Sequence, residues 1–327
     1  MTRHKIAAIK IDGHLRKAIL KALELSGIID KIRPDSRVAL KPNFTYPYHK
    51  PGVTTSPEVI SETVRALREL TAKISIVETE GGYGAWRASE AFSGHGVYEL
   101  ERKFGIQVIN LNEKESVTID VAWKNKKRPL QLPRALLYET DVFISMPVPK
   151  VHCMTVVSLG YKNQWGCIPD TMRLRSHHMF SSAIVAINRA LRPVILADGT
   201  YFLDNNGPME GKPVRMDLII AGTSSGAFDL FVSELMGIPW KRVPHLKRAV
   251  ELGDMPASLD EISFNMQPSE LRRHDFRLKR TLRNYIALTG FKSRLITWLG
   301  YEAWFGRVLL HQVLYAVAGK PAKPREN

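Results

Sequence analysis

The sequence predicts an α/β fold: a mostly parallel sheet with helices on both faces, followed by a C-terminal helical extension. Three observations predict it. Strand-like apolar runs alternate with amphipathic stretches as β-α-β-α-β-α-β through the first third of the chain, the order that parallel strands with crossover helices require. The run "DVFISMPVP" (141–149) is nearly all apolar, as a strand covered on both faces is. From about Pro239 the alternation fades, and from Leu271 onward the chain is basic, aromatic and helical in pattern.

"KIAAIKI" (Lys5–Ile11) alternates and reads as the first strand. "GHLRKAILKALELSG" places Leu15, Ile19, Leu20 and Leu23 on one helix face and stops at Gly27. "RVALKPN" is a second strand, ended by Pro42. "TTSPEVISETVRALREL" opens a helix: Ser56 suits the N-cap, Pro57 the first turn, and Glu58 the positive end of the dipole. "AKISIVETEGG" is a strand running into a glycine pair, "GVYELERKFG" a helix and "IQVINL" a strand. Beyond "DVFISMPVP" come a helix (Ser181–Leu191), a strand ("PVILAD"), a loop ("GTYFLDNNGPMEGKP"), a strand ("MDLIIAG") and a helix ("GAFDLFVSELMG"). The expected division is an α/β unit over 1–238, with room for two lobes about a crevice, a connecting segment over 239–270, and a basic aromatic extension over 271–327.

The chain has 327 residues, 44% hydrophobic and 24% charged. That is ordinary globular usage, and a chain this long buries a core without staples. Two cysteines, Cys153 and Cys167, form neither a disulfide framework nor a C-x-x-C pair, and a reducing, cytoplasmic setting is the simplest reading. The N-terminal residues lack the apolar core of a secretory signal, and no 18-residue apolar run exists. The formal net charge is +15. From Leu271 to Asn327 stand twelve Lys/Arg against Asp275, Glu302 and Glu326, so much of the excess sits in the last sixth of the chain.

Ligands of open α/β sheets bind beyond the carboxyl ends of the strands. That rule selects Lys41 and Asn43, then Glu78 and Glu80 before Gly81 and Gly82, then Lys150 and His152, then Asp198. The stretch 147–178 adds Lys162, Asn163, His177 and His178 at a His-x9-Lys-x15-His spacing. Histidine titrates near neutrality and serves as acid, base or metal ligand. A lysine in a partly apolar site loses its proton and acts as a base, or keeps it and grips an anion. The catalytic candidates are therefore His152, Lys162 and His178. Lys41, Asn43, Lys150, Asn163, Asp198, Gly81 and Gly82 are the ligand-binding candidates, and His178 and His177 the metal candidates. The competing reading makes these histidines ordinary core residues and the lysines ordinary surface ones. No zincin, Walker A, kinase or nucleophile-elbow motif is present.

"ALKPNF", "PGVTTSPEVI", "FISMPVPKVHCMTVVSLGYKNQWGCIP", "LADGTYFLDNNGPMEGKPV" and "LIIAGTSSGAFDLFVSELMGI" resemble the successive motifs of the domain of unknown function 362 (DUF362) family, over roughly residues 37 to 238. Some members of that family carry ferredoxin-type cysteine clusters and are labelled iron–sulfur proteins. Two cysteines cannot supply the four thiolates of a cluster, so no iron–sulfur cluster is expected in this chain. More remotely, the segment is similar to one in lactate racemase-like enzymes, where a His, a Lys and a second His serve a nickel-pincer nucleotide cofactor. That resemblance implies His152 as acid/base, Lys162 as cofactor anchor and His178 on a metal. The cofactor classes it raises are a transition metal and a nucleotide-type group.

The expectation is an enzyme acting on a small anionic substrate by proton transfer or redox chemistry next to a carboxylate or carbonyl. The alternative is a non-catalytic, membrane-associated or electron-transfer accessory protein. The tail of 271–327, with Tyr285, Phe291, Trp298, Tyr301, Trp304, Phe305 and Tyr315 among basic residues, matches an interfacial helix that adsorbs to an anionic membrane. A lid or dimer arm is the bland reading of the same tail, so an oligomer is left open. Nucleic acid is not expected, because no RNP, helix-turn-helix or zinc-finger pattern accompanies the charge.

Overall fold

The computed structural model describes residues 4–290, 294–301 and 303–304. Its strands are β1 (His4–Lys10), β2 (Val38–Pro42), β3 (Ile74–Glu78), β4 (Gln107–Asn110), β5 (Ser116–Trp123), β6 (Lys126–Pro133), β7 (Val142–Met146), β8 (Lys150–His152), β9 (Val156–Ser158), β10 (Val194–Asp204), β11 (Lys212–Gly222) and β12 (Ile262–Phe264). Its helices are α1 (Leu15–Leu25), α2 (Pro57–Arg68), α3 (Ala88–Gly94), α4 (Val97–Phe104), α5 (Arg134–Tyr138), α6 (Gly160–Asn163), α7 (Phe180–Leu191), α8 (Ser225–Met236), α9 (Pro244–Glu251), α10 (Pro268–Leu271), α11 (Leu282–Gly290) and α12 (Arg294–Tyr301). The predicted aromatics Phe291, Phe305 and Tyr315 lie outside the described residues.

The central sheet runs β12-β1-β11-β10-β7-β2-β3-β4. β10, β7, β2, β3 and β4 are parallel neighbours, as is the β1–β12 pair. β11 is antiparallel to both β1 and β10. Successive side chains of a strand point to opposite faces, and here they sort into two separate cores. Ala39, Val77, Phe143, Ile195, Ala197, Leu218 and Ile220 enter one, which α7, α8 and α9 complete. Val38, Leu40, Ile76, Ile144, Leu196, Ile219 and Ala221 enter the other, which α1, α2 and parts of α3 and α4 complete. Burying each Leu, Ile or Val of these sets is worth roughly 1.5–3 kcal/mol.

The local signals act as predicted at α2. The Ser56 hydroxyl accepts the Val59 N–H at 3.3 Å, Pro57 starts the helix, and the Ser56 N–H donates to Asp198 Oδ2 at 2.7 Å. Three elements differ from the sequence reading. β10 does not stop at Asp198; it continues through a bulge between Gly199 and Tyr201 and pairs with β11 to Asp204. Its Thr-Tyr-Phe-Leu content favours a strand, so only the turn from 205 to 211 remains loop. β5 and β6 form a two-stranded hairpin whose turn residues, Lys124 and Asn125, both have positive φ, as type I′ turns require. β8 and β9 form a second, short hairpin attached to β10. The segment 239–270 contributes Val243, Leu246, Ala249, Met255 and Ile262 to the first core, and its β12 is the sheet's edge strand.

Candidate functional site

β7 leaves the sheet through Pro147, Val148 and Pro149 and delivers the chain to the β8–β9 hairpin. That hairpin fixes His152. The imidazole Nδ1 accepts the N–H groups of Met154 and Thr155 at 3.1 and 3.4 Å. An amide can only donate, so Nδ1 is bare and the proton of the neutral ring sits on Nε2.

After β9 the chain turns into α6, which carries Lys162. Its N-terminus is anchored by Asp229 of α8, whose two carboxyl oxygens each lie 3.2 Å from the Tyr161 N–H. Gly160 makes this approach feasible: a methyl group there would lie 2.7 Å from Asp229 Oδ1 and 3.0 Å from Phe228. Burial pushes the Asp229 carboxyl well above its ordinary range, while the Tyr161 and Gly160 N–H groups pull it back. The neutral acid is therefore favoured. Asp229→Asn should stay within about 1 kcal/mol of the parent in urea unfolding. Asp229→Leu, which strands the helix N–H groups, should cost about 1–3 kcal/mol.

Around Lys162 the chain assembles an aromatic box. The His177 ring stacks on Trp165 (centroids 5.3 Å, 19°), Phe180 tilts against Trp165 at 4.6 Å, and His245 of α9 meets Phe180 edge-on at 6.1 Å. The Lys162 ammonium lies 5.8 Å from the Phe180 centroid, within cation–π reach. Lys162 retains some exposure, yet burial of its amine is the largest influence and lowers its pKa to about 8. Cys153 acts against that shift, and Arg173 and Lys41 add to it. The charge of Lys162 in turn depresses Lys150, His152, His177 and His245, in each case after burial as the main cause. His177 and His245 fall to about 3. Lys150 is fully buried and donates to the Val53 carbonyl. Among the described residues neither Lys150 nor Lys162 makes an ion pair.

The remaining predicted residues are spread around this set. Lys41 is buried in an ion pair with Glu78 (2.9 Å) and packs on Gly166, where a Cβ would come within 3.0 Å of its Nζ. Asn163 donates to Ser145 Oγ (2.8 Å) and the Lys41 carbonyl (3.3 Å), one end of a buried polar chain that continues through Gln164 to Asn188. Asn43 accepts from the N–H and hydroxyl of Thr45. Asp198 accepts from Ser56 and Thr200 and, two residues after Leu196, follows the α1–α2 side of the sheet. Gly81 packs under the Trp86 ring, and a Cβ on Gly82 would meet nothing. His178 donates from Nδ1 to the Arg175 carbonyl (2.8 Å) and meets Trp123 of β5 edge-on.

Sequence reasoning did not single out His245, Arg173, Cys153 or Asp229. An acid flanked by Phe228 and Leu230 in the apolar run "GAFDLFVSELMG" was the available signal for Asp229. Among the described residues no three His, Cys, Asp or Glu side chains converge as a metal site. His152 turns its bare nitrogen to the backbone, and His178 packs on the β5–β6 hairpin. These two histidines therefore do not converge as ligands of a metal-centred cofactor. A wide surface groove between α1, α2 and α4 lies on the other face, and its walls mix Arg16, Lys17 and Lys21 with Glu24, Glu58, Glu62 and Glu99. None of the candidate residues predicted from the sequence lines it.

Beyond α10 the chain becomes a strap. Phe276 is buried while Arg277 and Lys279 face water. Asp204 holds the strap through the His274 ring (2.9 Å) and the Arg277 N–H (2.7 Å), and Arg280 Nε donates to the Cys153 carbonyl at 2.6 Å. α12 then lies against the 173–179 segment that carries His177. No described helix is long and apolar enough to cross a membrane.

A family model described as "Domain of unknown function (DUF362)" matches residues 38–234. A thylakoid-associated protein of Synechocystis sp. is 25% identical over 282 residues, covering 83% of this chain and 85% of that protein. Among solved structures, the lactate racemase apoprotein from Thermoanaerobacterium thermosaccharolyticum superposes with a TM-score of 0.45 at 15% identity, and a protein from Thermotoga maritima with 0.35 at 12%. The matches cover 72% and 64% of this chain, and this chain spans only 57% and 55% of those two.

Proposed function

From the premise that this chain belongs to the DUF362 family, we propose that it is an enzyme of the proton-transfer class acting on a small anionic compound, next to a carboxylate or carbonyl. One observation carries this reading: Lys162 lies against the box of Trp165, His177, Phe180 and His245, and neither it nor the fully buried Lys150 makes an ion pair among the described residues. The carboxylate that acts on Lys150, Asp198, is engaged by Ser56 and Thr200, and that of Glu78 by Lys41. A buried ammonium such as that of Lys162 is costly unless paired, so the partner this box favours is an anion.

The roles proposed are these. Lys162, at about 8, populates both amine and ammonium near neutral pH, as a proton carrier must. As the amine it takes the proton from the carbon beside the substrate carboxylate or carbonyl. The C–H electron pair moves to the oxygen, giving an enolate. His152, with its proton fixed on Nε2, donates to that oxygen. It acts as a neutral electrophile, not a general base, because burial holds it well below its ordinary range. Return of the proton from the ammonium closes the cycle.

The test is solvent exchange. Candidate 2-hydroxy and 2-oxo carboxylates incubated with the protein in deuterium oxide should lose the proton signal of the adjacent carbon, with a rate rising through the Lys162 titration. Absence of exchange in every acid that raises the melting temperature would overturn the reading.

Independently of the chemistry, we propose a cytoplasmic location peripheral to a membrane surface. Exposed apolar side chains on α11 and α12 support it, as does the thylakoid association of the Synechocystis relative.

A further inference from the structure

We propose that the outward face of α11 and α12, together with the exposed cations of the strap before them, is a docking surface for an anionic lipid bilayer. This rests on the membrane-surface part of the reading above and assigns the residues that make the contact. Soluble helices turn polar residues outward and apolar ones inward. α12 does the reverse. Thr297 is 2% exposed, whereas Leu295 is 65%, Ile296 42% and Trp298 47% exposed. α11 likewise exposes Leu282 at 73% and Tyr285 at 56%, and Trp304 beyond α12 is 78% exposed. Leu282 and Tyr285 stand three positions apart, as do Leu295 and Trp298, so each pair shares a helix face.

A cluster of this kind marks an interaction surface. Its chemistry selects the partner. Tryptophan and tyrosine combine an apolar ring with a polar tip, which suits the boundary between headgroups and acyl chains. The adjoining strap alternates: Phe276 turns into the core, while Arg273, Arg277 and Lys279 are exposed. Among the described residues these three cations make no ion pair, and the 271–327 region holds twelve Lys/Arg against three acids. A protein partner or a second copy would meet the apolar face equally well. Only an anionic surface also answers the charge. No described helix can span a bilayer, so the attachment is adsorption.

The test is co-sedimentation of the full chain with vesicles of phosphatidylglycerol and phosphatidylcholine, or of phosphatidylcholine alone, at low and high salt. The intact protein should bind the anionic vesicles, bind the neutral ones at least tenfold more weakly, and be released by salt, as attraction screened over a Debye length of about 10 Å at 0.1 M predicts. Arg277→Glu/Lys279→Glu should weaken binding by about 25-fold or more, since each cation near such a surface is worth about a factor of five. Leu295→Asp/Trp304→Asp, at sites already in water, should abolish binding while leaving the thermal melt unchanged. If the intact chain binds neither vesicle, both the membrane reading and this surface fall. If it binds but both double variants bind equally well, only the assignment of the surface falls. A stable dimer in sedimentation velocity that Leu295→Asp/Trp304→Asp dissociates would also overturn it, by naming a second copy as the occupant.

Discussion

The fold should lose several kcal/mol of its stability between about pH 6.5 and pH 5. His95 is held at about 4, and His177 and His245 at about 3. Burial is the main cause in each case, and His152 is depressed in the same direction. In the unfolded chain these rings titrate near 6.5. Below that pH the unfolded state binds protons that the folded state refuses. The stability they contribute is therefore complete above about 6.5 and lost as pH falls toward the folded values. Each group costs about 1.4 kcal/mol per pH unit. Three of them over this interval remove roughly 6 kcal/mol, against a typical total of 5–15 kcal/mol. Asp229 works in the opposite sense: its raised pKa makes its contribution largest at low pH, but one carboxyl does not offset several imidazoles. Urea unfolding at a series of pH values measures the slope, and His245→Phe should reduce it by about one proton. A flat profile down to pH 5 would mean that the rings are not buried in neutral form.

Replacing Lys162 by methionine should remove catalysis and leave a more stable protein. Methionine keeps most of the length and the apolar character of the lysine stem, and gives up only the charge and its cation–π contact with Phe180. The ammonium it deletes is buried, has no ion-pair partner among the described residues, and depresses four neighbours. Deuterium exchange on a bound acid should fall by about 10²–10⁴-fold, the usual contribution of a positioned acid–base group. The melting temperature should rise, and the imidazoles of His177 and His245 should titrate at higher pH by proton NMR. A lysine held for stability would instead lower the melting temperature when replaced. Retained exchange within tenfold of the parent would remove Lys162 from the proton-transfer role.

The framework was legible because its signals are local. The spacing of Leu15, Ile19 and Leu23, and the Ser-Pro-Glu start at Ser56, act within one turn of helix, and the model has both helices. "SVTIDVAW" carries an equally local alternation, and it is β5. Its turn, Lys-Asn, lacks the glycine that usually announces a type I′ hairpin. "GTYFLD" resembled a loop because glycine opens it and Asn-Asn-Gly follows, yet pairing with β11 outweighs those residues.

The site was legible only in part. Strand ends mark Lys41, Lys150, His152 and Asp198, but position along a strand does not reveal what a side chain will meet. Lys41 meets Glu78 and Asp198 meets Ser56, partners 37 and 142 residues away. His245 reaches Phe180 from a helix whose sequence reads as an ordinary amphipathic surface element. Such contacts depend on how layers stack, which no window of neighbouring residues encodes.

The separation of the two cores by side-chain parity has a genetic consequence. Loss of a single codon within β2 would exchange Lys41 for a neighbour of opposite orientation, and would drive the whole strand's cores through one another at once. Substitutions there act one contact at a time, while a change of length acts on all of them. Selection on this protein should therefore tolerate varied residues in β2, β3, β7 and β10 far better than varied lengths. Insertions and deletions should collect in segments such as 205–211, where no such parity has to be kept.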